Sequence, residues 1–176
     1  MPTPTNPINT FTEVRNSHVH GMGVFAKTDI PKGTVWWRAR PGIDVLLINK
    51  AQFQTLKDSQ HSPTSQDLLE AIYTYSYYSA EDDVLILILD HARYTNHSFQ
   101  PNSDVYPEPG VIGSIALRDI KAGEEIMEDY SEFDHCPWPG FAEEYWMPDE
   151  EPPKKRGVGG CTPPHTPFFR AISALR

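Results

Sequence analysis

The chain has 176 residues, 39% of them hydrophobic, with 17 prolines and a formal net charge of −9. That length suits one domain with a short appendage, and the acidic balance argues against nucleic acid as a direct ligand while suiting a basic partner. Cys136 and Cys161 are too few for a disulfide scaffold or a four-cysteine metal site, and no apolar run approaches a membrane span.

No basic-then-apolar leader opens the chain, so the expectation is a soluble intracellular protein, cytoplasmic or nuclear rather than secreted. The glycosylation sequon Asn96-His97-Ser98 is discounted on that ground. Prolines crowd both ends, which confines the expected core to about residues 10–135.

Residues 1–10 read as a flexible lead, and Phe11-Thr12-Glu13-Val14 alternates like a short strand. Arg15-Asn16-Ser17-His18-Val19-His20 then breaks into a loop ahead of Gly21-Met22-Gly23-Val24-Phe25-Ala26. The second string satisfies the dinucleotide fingerprint G-x-G-x-x-A, but that fingerprint needs a buried strand before it and a helix after it. Here a polar loop precedes it, and Pro31 and Gly33 forbid a helix behind it. Two readings stay open: a tight turn entering a strand, or a glycine pair that lets backbone approach a ligand.

Ala26-x-x-Asp29-Ile30-x-x-Gly33 is echoed by Ala116-x-x-Asp119-Ile120-x-x-Gly123, which reads as one strand-connecting turn used twice. Strands are expected at 35–37, 43–48, 84–89, 111–117 and 125–128. A short helix is expected over 49–57. A longer one is expected over 66–79, capped by Thr64 or Ser65, with Leu68, Ile72 and Tyr75 on one face. Tyr73, Tyr75, Tyr77 and Tyr78 crowd its end, as packing or as a ligand wall.

After Phe133 the chain turns Pro-rich and charged. Residues 141–146 suit a helical turn or two, 148–167 read as mobile, and 168–175 as a docking terminal helix. Lys154-Lys155-Arg156 reads as a solvated basic spot. The organisation expected is a lead over 1–10, a mostly β domain with an inserted helix over 11–135, and a tail over 136–176.

Between the apolar run 84–89 and the strand that follows lies Asp90-His91-Ala92-Arg93-Tyr94-Thr95-Asn96-His97-Ser98-Phe99-Gln100-Pro101-Asn102, polar, aromatic and poor in helix formers. A buried strand that empties into such a segment delivers side chains to a site. A capped turn built on Asn, Ser and Pro satisfies the same string.

Three strings in order resemble the SET domain of protein-lysine methyltransferases: His20 to Ala26, then Arg93-Tyr94-Thr95-Asn96-His97-Ser98 with Pro101-Asn102, then Gly123-Glu124-Glu125-Ile126-Met127-Glu128-Asp129-Tyr130. The resemblance covers about residues 12–135. It implies several small β-sheets with a C-terminal pseudoknot, and a methyltransferase with S-adenosyl-L-methionine as donor. A lysine of a basic protein or peptide, histone tails included, would enter a channel from the other side. By position it implies Met22, Gly23, Tyr94, Asn96 and His97 at the donor, Tyr130 at the point of methyl transfer, and Tyr94, Glu128, Tyr130 and Phe133 along the lysine channel. Arg93 matches the motif with a structural role. The alternative is a catalytically silent SET-like module that binds lysine-containing peptides.

Two departures from the family stand out. Many members carry a cysteine after Asn-His-Ser that joins three later cysteines around zinc; here Phe99 stands there, so no metal is expected. Phe133, Trp138 or the terminal helix is then expected to cover the donor. His135, Cys136, Cys161 and His165 are too irregularly spaced to replace the zinc site. The second departure is Glu128, where the family often has Phe or Tyr. It either attracts the entering ammonium or points to solvent from an alternate strand face.

Overall fold

The computed structural model describes residues 5–59 and 61–141. The turns expected past Phe141, the segment 148–167, the terminal helix, the basic spot, Cys161 and His165 lie outside the described residues.

Among the described residues ten short strands form three small sheets. β1 (Thr12–Asn16) and β2 (Met22–Ala26) make a hairpin. β2 also pairs antiparallel with β10 (Glu125–Glu128), which pairs in parallel with β7 (Asn96–His97). A second sheet runs in the order β3 (Val35–Arg38), β9 (Gly113–Ala116), β8 (Ser103–Val105), and a third in the order β4 (Val45–Asn49), β6 (Val84–Ile88), β5 (Ser76–Ser79). β8 has no counterpart among the expected strands. Its three residues are too few for alternation to show, and Ser103 is buried at its start.

The lead packs more than its composition suggests. α1 (Ile8–Phe11) is one helical turn, and Ile8 is buried in the core. α2 (Lys50–Asp58) starts from Asn49, whose side chain accepts from the Gln52 N–H while Gln52 returns a bond to the Asn49 N–H. α3 (Pro63–Tyr75) begins earlier than expected: Ser62 caps it, and Pro63 fits the first turn because its missing N–H has no helical partner to lose. The helix also stops earlier, at Tyr75. Tyr77 and Tyr78 pair with Ile86 and Leu85 across β5–β6, where aromatic side chains have packing partners that another helical turn would not offer.

The echoed turns face each other across a local twofold relation. The Ile30 and Ile120 backbones exchange both hydrogen bonds, at 2.8 and 2.9 Å. The Gly33 N–H donates to Ala116 O and the Gly123 N–H to Ala26 O, while Asp119 accepts from Lys32 N and Asp29 from Ala122 N. Both glycines sit at positive φ (83° and 86°), which an L side chain rarely adopts. This clasp fixes β2 against β10 and so sets the register that brings Gly23 beside Glu125.

Two buried clusters hold the sheets. The first contains Val24, Ile30, Trp36, Ile120 and Ile126, and the second Phe53, Ile72, Leu85, Trp138 and Phe141. The core therefore extends past 135, with Cys136, Trp138 and Phe141 all buried. Trp138, expected as one cover over the donor, is instead buried in this cluster: its ring packs against Phe53 and Tyr78, and its Nε1–H donates to Asp83 at 2.9 Å. Asp83 also accepts from the Tyr78 hydroxyl at 2.7 Å, which pushes that phenol up to about 12. The prolines around Trp138 and Phe141 leave no periodicity that would mark these two rings as core.

Ahead of β4, Arg40 donates to Asp44 from Nε at 2.6 Å and from Nη2 at 2.8 Å. The guanidinium holds the half-shielded carboxyl below the ordinary carboxylate range. Because the folded value is depressed, the pair's stabilisation is present near pH 7 and lost as pH falls through that value. Asp44→Asn is thus expected to lower the unfolding midpoint near pH 7 and to have little effect near pH 3, checked by thermal melts across that range.

Among the described residues no helix is long and apolar enough to cross a membrane.

Candidate active site

The site forms where β6 ends. Asp90 closes that strand by accepting from Trp37 Nε1 and Asn6 Nδ2 on one oxygen and from the Ala92 N–H on the other. It thereby fixes the tight turn His91–Tyr94. The chain then extends into β7, set opposite β10 with Asn96 against Met127 and His97 against Glu128. The Pro-Asn end of the string has a structural task. Asn102 is fully buried, its Nδ2 donates to Glu125 O at 2.7 Å, and its Oδ1 accepts from the Met127 N–H at 2.9 Å. One amide thus does the work of a missing strand neighbour beside β10. In sequence Asn102 is the last residue of a polar motif, and nothing in its polar surroundings signals burial.

Two surfaces meet at this junction. On the first, Asn96 Nδ2 donates to Met22 O at 3.1 Å, to His20 O at 3.2 Å and to Glu125 Oε1 at 2.7 Å. Glu125 is held from its other oxygen by Ser17 Oγ at 2.9 Å. Gly23 lies against this carboxylate so closely that a Cβ there would fall 2.3 Å from Oε1. Of the two readings of the glycine pair, the turn is seen at Gly21, which bends the chain at positive φ, while the neighbour that Gly23 lets approach closely is the Glu125 side chain. Glu125, absent from the expected site residues, is the charged partner of this corner.

On the second surface a cavity of about 60 Å³ is lined by Trp36, Tyr75, Ser76, Arg93, Glu128 and Tyr130 among others, Phe133 included. Glu128 points inward, so the solvent-facing alternative does not hold. It is buried, Ser103 Oγ donates to it at 3.1 Å, and Trp36 Nε1 donates to that same hydroxyl at 2.7 Å. Burial pushes the Glu128 carboxyl up against the opposing pull of Ser114 and Ser103. Phe133 stacks on Tyr130 with centroids 5.2 Å apart and packs on Tyr77 at 5.5 Å.

Tyr130 joins the two surfaces. Its N–H donates to His97 Nδ1 at 3.1 Å, its ring lies 5.5 Å from the His97 ring, and its hydroxyl donates to Thr95 O. Accepting from an N–H requires Nδ1 unprotonated, and burial lowers the His97 pKa against the pull of Asp129, so both favour the neutral imidazole. Tyr94 does not line the cavity. Its neighbours Arg93 and Thr95 do, and Tyr94 packs on the core, its hydroxyl accepting from Arg93 Nη2 at 2.9 Å. The wall expected of it comes from Tyr75, under the Arg93 guanidinium at 5.2 Å. Of the expected residues, then, Met22, Gly23 and Asn96 meet at the Glu125 corner, His97 contacts Tyr130, and Glu128, Tyr130 and Phe133 line the cavity.

Among the described residues no group of three or more His, Cys, Asp or Glu is placed to hold a metal ion.

The SET domain matches residues 21–131 of the chain. No curated protein matches it. Among solved structures, a Plasmodium falciparum protein described as a candidate histone methyltransferase is 20% identical, with 68% of this chain and 92% of that chain covered and a TM-score of 0.45. An active polycomb repressive complex 2 in the basal state is 20% identical over 72% of this chain and 16% of that chain, with a TM-score of 0.50. The ctPRC2 complex in an autoinhibited conformation, bound to S-adenosylmethionine, is 19% identical over 76% of this chain and 16% of that chain, with a TM-score of 0.53. At such identities the last two likenesses concern the fold alone, and this chain spans only a small part of either.

Proposed function

The chain belongs to the SET-domain family, and from that premise we propose that it is a protein-lysine N-methyltransferase. In this reading S-adenosylmethionine is the donor and a lysine of a basic protein, histone tails among the candidates, is the acceptor. The observation that carries it is the position of Tyr130, bonded to His97 on one side and lining the Glu128 cavity on the other. Support for the pseudoknot comes from β10, which pairs on both edges beside the 96–102 segment. A net charge of −9 suits a basic partner, which is met in cytoplasm or nucleus.

The corner at β2 and β7 fits the donor's amino-acid end. Carbonyls of His20 and Met22 and the Glu125 carboxylate converge there, acceptors suited to an α-ammonium group, and Gly23 offers backbone with no side chain in the way. When bound, the donor supplies a methyl group on a sulfonium sulfur. Met22, Gly23 and Asn96 would hold its amino-acid end and the His97 backbone its adenine, with Tyr94 supporting the adjoining wall. A lysine amine has an ordinary pKa of about 10.4 and must lose a proton to attack, which apolar walls favour by disfavouring the ammonium. The Tyr130 hydroxyl, anchored on Thr95 O, orients that amine. Holding two reactants in line supplies most of the acceleration in such a site.

Gly23→Ala tests the donor corner, since its Cβ displaces Glu125 and releases Asn96. Calorimetry is expected to show donor affinity weakened about tenfold, roughly 1.4 kcal/mol; an unchanged Kd removes Gly23 from the donor site. The function itself is tested by incubating the full chain with methyl-labelled S-adenosylmethionine and mixed basic proteins. Label on lysines is the expected result. Donor binding with no label on any substrate would favour the silent lysine-binding module.

A further inference from the structure

Glu128 is a buried carboxyl on a cavity wall with no cationic partner among the described residues. Around it β8 contributes Asp104, which opposes its ionisation, and the cavity contributes Arg93 and the phenols of Tyr75, Tyr77 and Tyr130. Arg93 is the one cation among the cavity-lining residues, and it is engaged by Tyr75 and Tyr94 rather than by Glu128. The hydroxyls that donate to Glu128 are themselves positioned, Ser103 by the Trp36 indole. Ser76 Oγ lies on the same cavity wall, buried and without a hydrogen-bond partner among the described residues. A buried acid and a spare hydroxyl on one small cavity are costly to keep unless a guest completes them. The guest that fits both is a cation bearing N–H donors at the end of a slender apolar stem, which is the lysine side chain.

Resting on the methyltransferase reading above, we propose that Glu128 receives the substrate ammonium and takes one proton from it, leaving the free amine beside Tyr130. An N–H bond of the ammonium breaks, an O–H bond forms on the Glu128 carboxylate, and the electron pair stays on nitrogen as the attacking lone pair. The proton leaves to solvent once the product departs. Ser76 Oγ accepts from one of the two remaining N–H bonds and fixes the direction of that lone pair. Burial serves this role, because a carboxylate shielded from water is a stronger proton acceptor than an exposed one.

The test uses the full chain and a synthetic peptide centred on a lysine labelled in the assay above, together with its norleucine counterpart. Norleucine keeps the stem and removes the nitrogen. Wild type is expected to bind the lysine peptide at least about tenfold more tightly than the norleucine peptide. Glu128→Gln, which retains shape and the bond from Ser103, is expected to lose that preference while binding S-adenosylmethionine as wild type does. Its pH–rate profile should also move upward, toward lysine's own value of about 10.4. Glu128→Asp, a shorter acid, should keep the wild-type limb at reduced rate, which separates acid chemistry from misfolding. Equal peptide preference and an unshifted profile in Glu128→Gln overturn the role of Glu128 and leave methyl transfer standing. Failure of wild type to bind the donor strikes the function proposed above instead.

Discussion

Replacing Tyr130 with phenylalanine is expected to slow methyl transfer about 10²-fold while the fold and donor binding survive. The ring is held without its hydroxyl: Phe133 stacks on one side, His97 packs on another, and the Tyr130 N–H stays bonded to His97 Nδ1. What is lost is the oxygen that orients the amine. A misplacement on the order of 1 Å at such a point costs about 10²-fold in rate. The hydroxyl also donates to Thr95 O, and losing one ordinary hydrogen bond costs about 1 kcal/mol of stability, which leaves the protein folded. Single-turnover labelling beside a donor titration separates these effects. A rate within a few-fold of wild type would make Tyr130 a packed core tyrosine.

Trp138→Ala is expected to destabilise the protein by about 3–5 kcal/mol, a large share of a small domain's total. Its ring fills the space between Phe53 and Tyr78, and its Nε1–H is one of two donors on Asp83. Truncation leaves a cavity and strips a donor from that carboxylate, and the two losses act in the same direction. A chain ended after residue 135 should suffer at least as much, because Cys136 and Phe141 leave the cluster as well. Urea unfolding reads both. A change below about 0.5 kcal/mol, typical of surface positions, would return 136–141 to a loosely attached tail.

What could be read in the sequence was whatever showed periodicity or turn chemistry. β6 is an uninterrupted apolar run, the echoed turns carry their glycines at matching places, and α2 begins at a capping residue. The three strings gave the site's neighbourhood because each places a short, oddly shaped backbone at a fixed point: the glycine approach at Gly23, the β7 strand, and the close of β10. Less legible were features set by long-range packing. Helix α3 loses Tyr77 and Tyr78 to a strand because β6 offers them the edge that β4 leaves open, and no local signal marks that choice. Tyr94 falls off the cavity because, as the last residue of the turn His91–Tyr94, it packs on the core while Arg93 and Thr95 line the cavity. The core role of Trp138 has no periodic signal among the prolines around it, and Ser76 and Ser103 are small polar residues whose burial appears only once sheets are packed.

That donor and lysine reach Tyr130 from opposite sides is tested most directly by a crystal structure of the full chain with S-adenosylhomocysteine and a lysine peptide. The expected density has the homocysteine end beside Gly23 and Asn96, and the lysine nitrogen within hydrogen-bond reach of the Tyr130 hydroxyl in the Glu128 cavity. A donor product bound away from Gly23 and Asn96, or a lysine lying outside that cavity, would contradict the account.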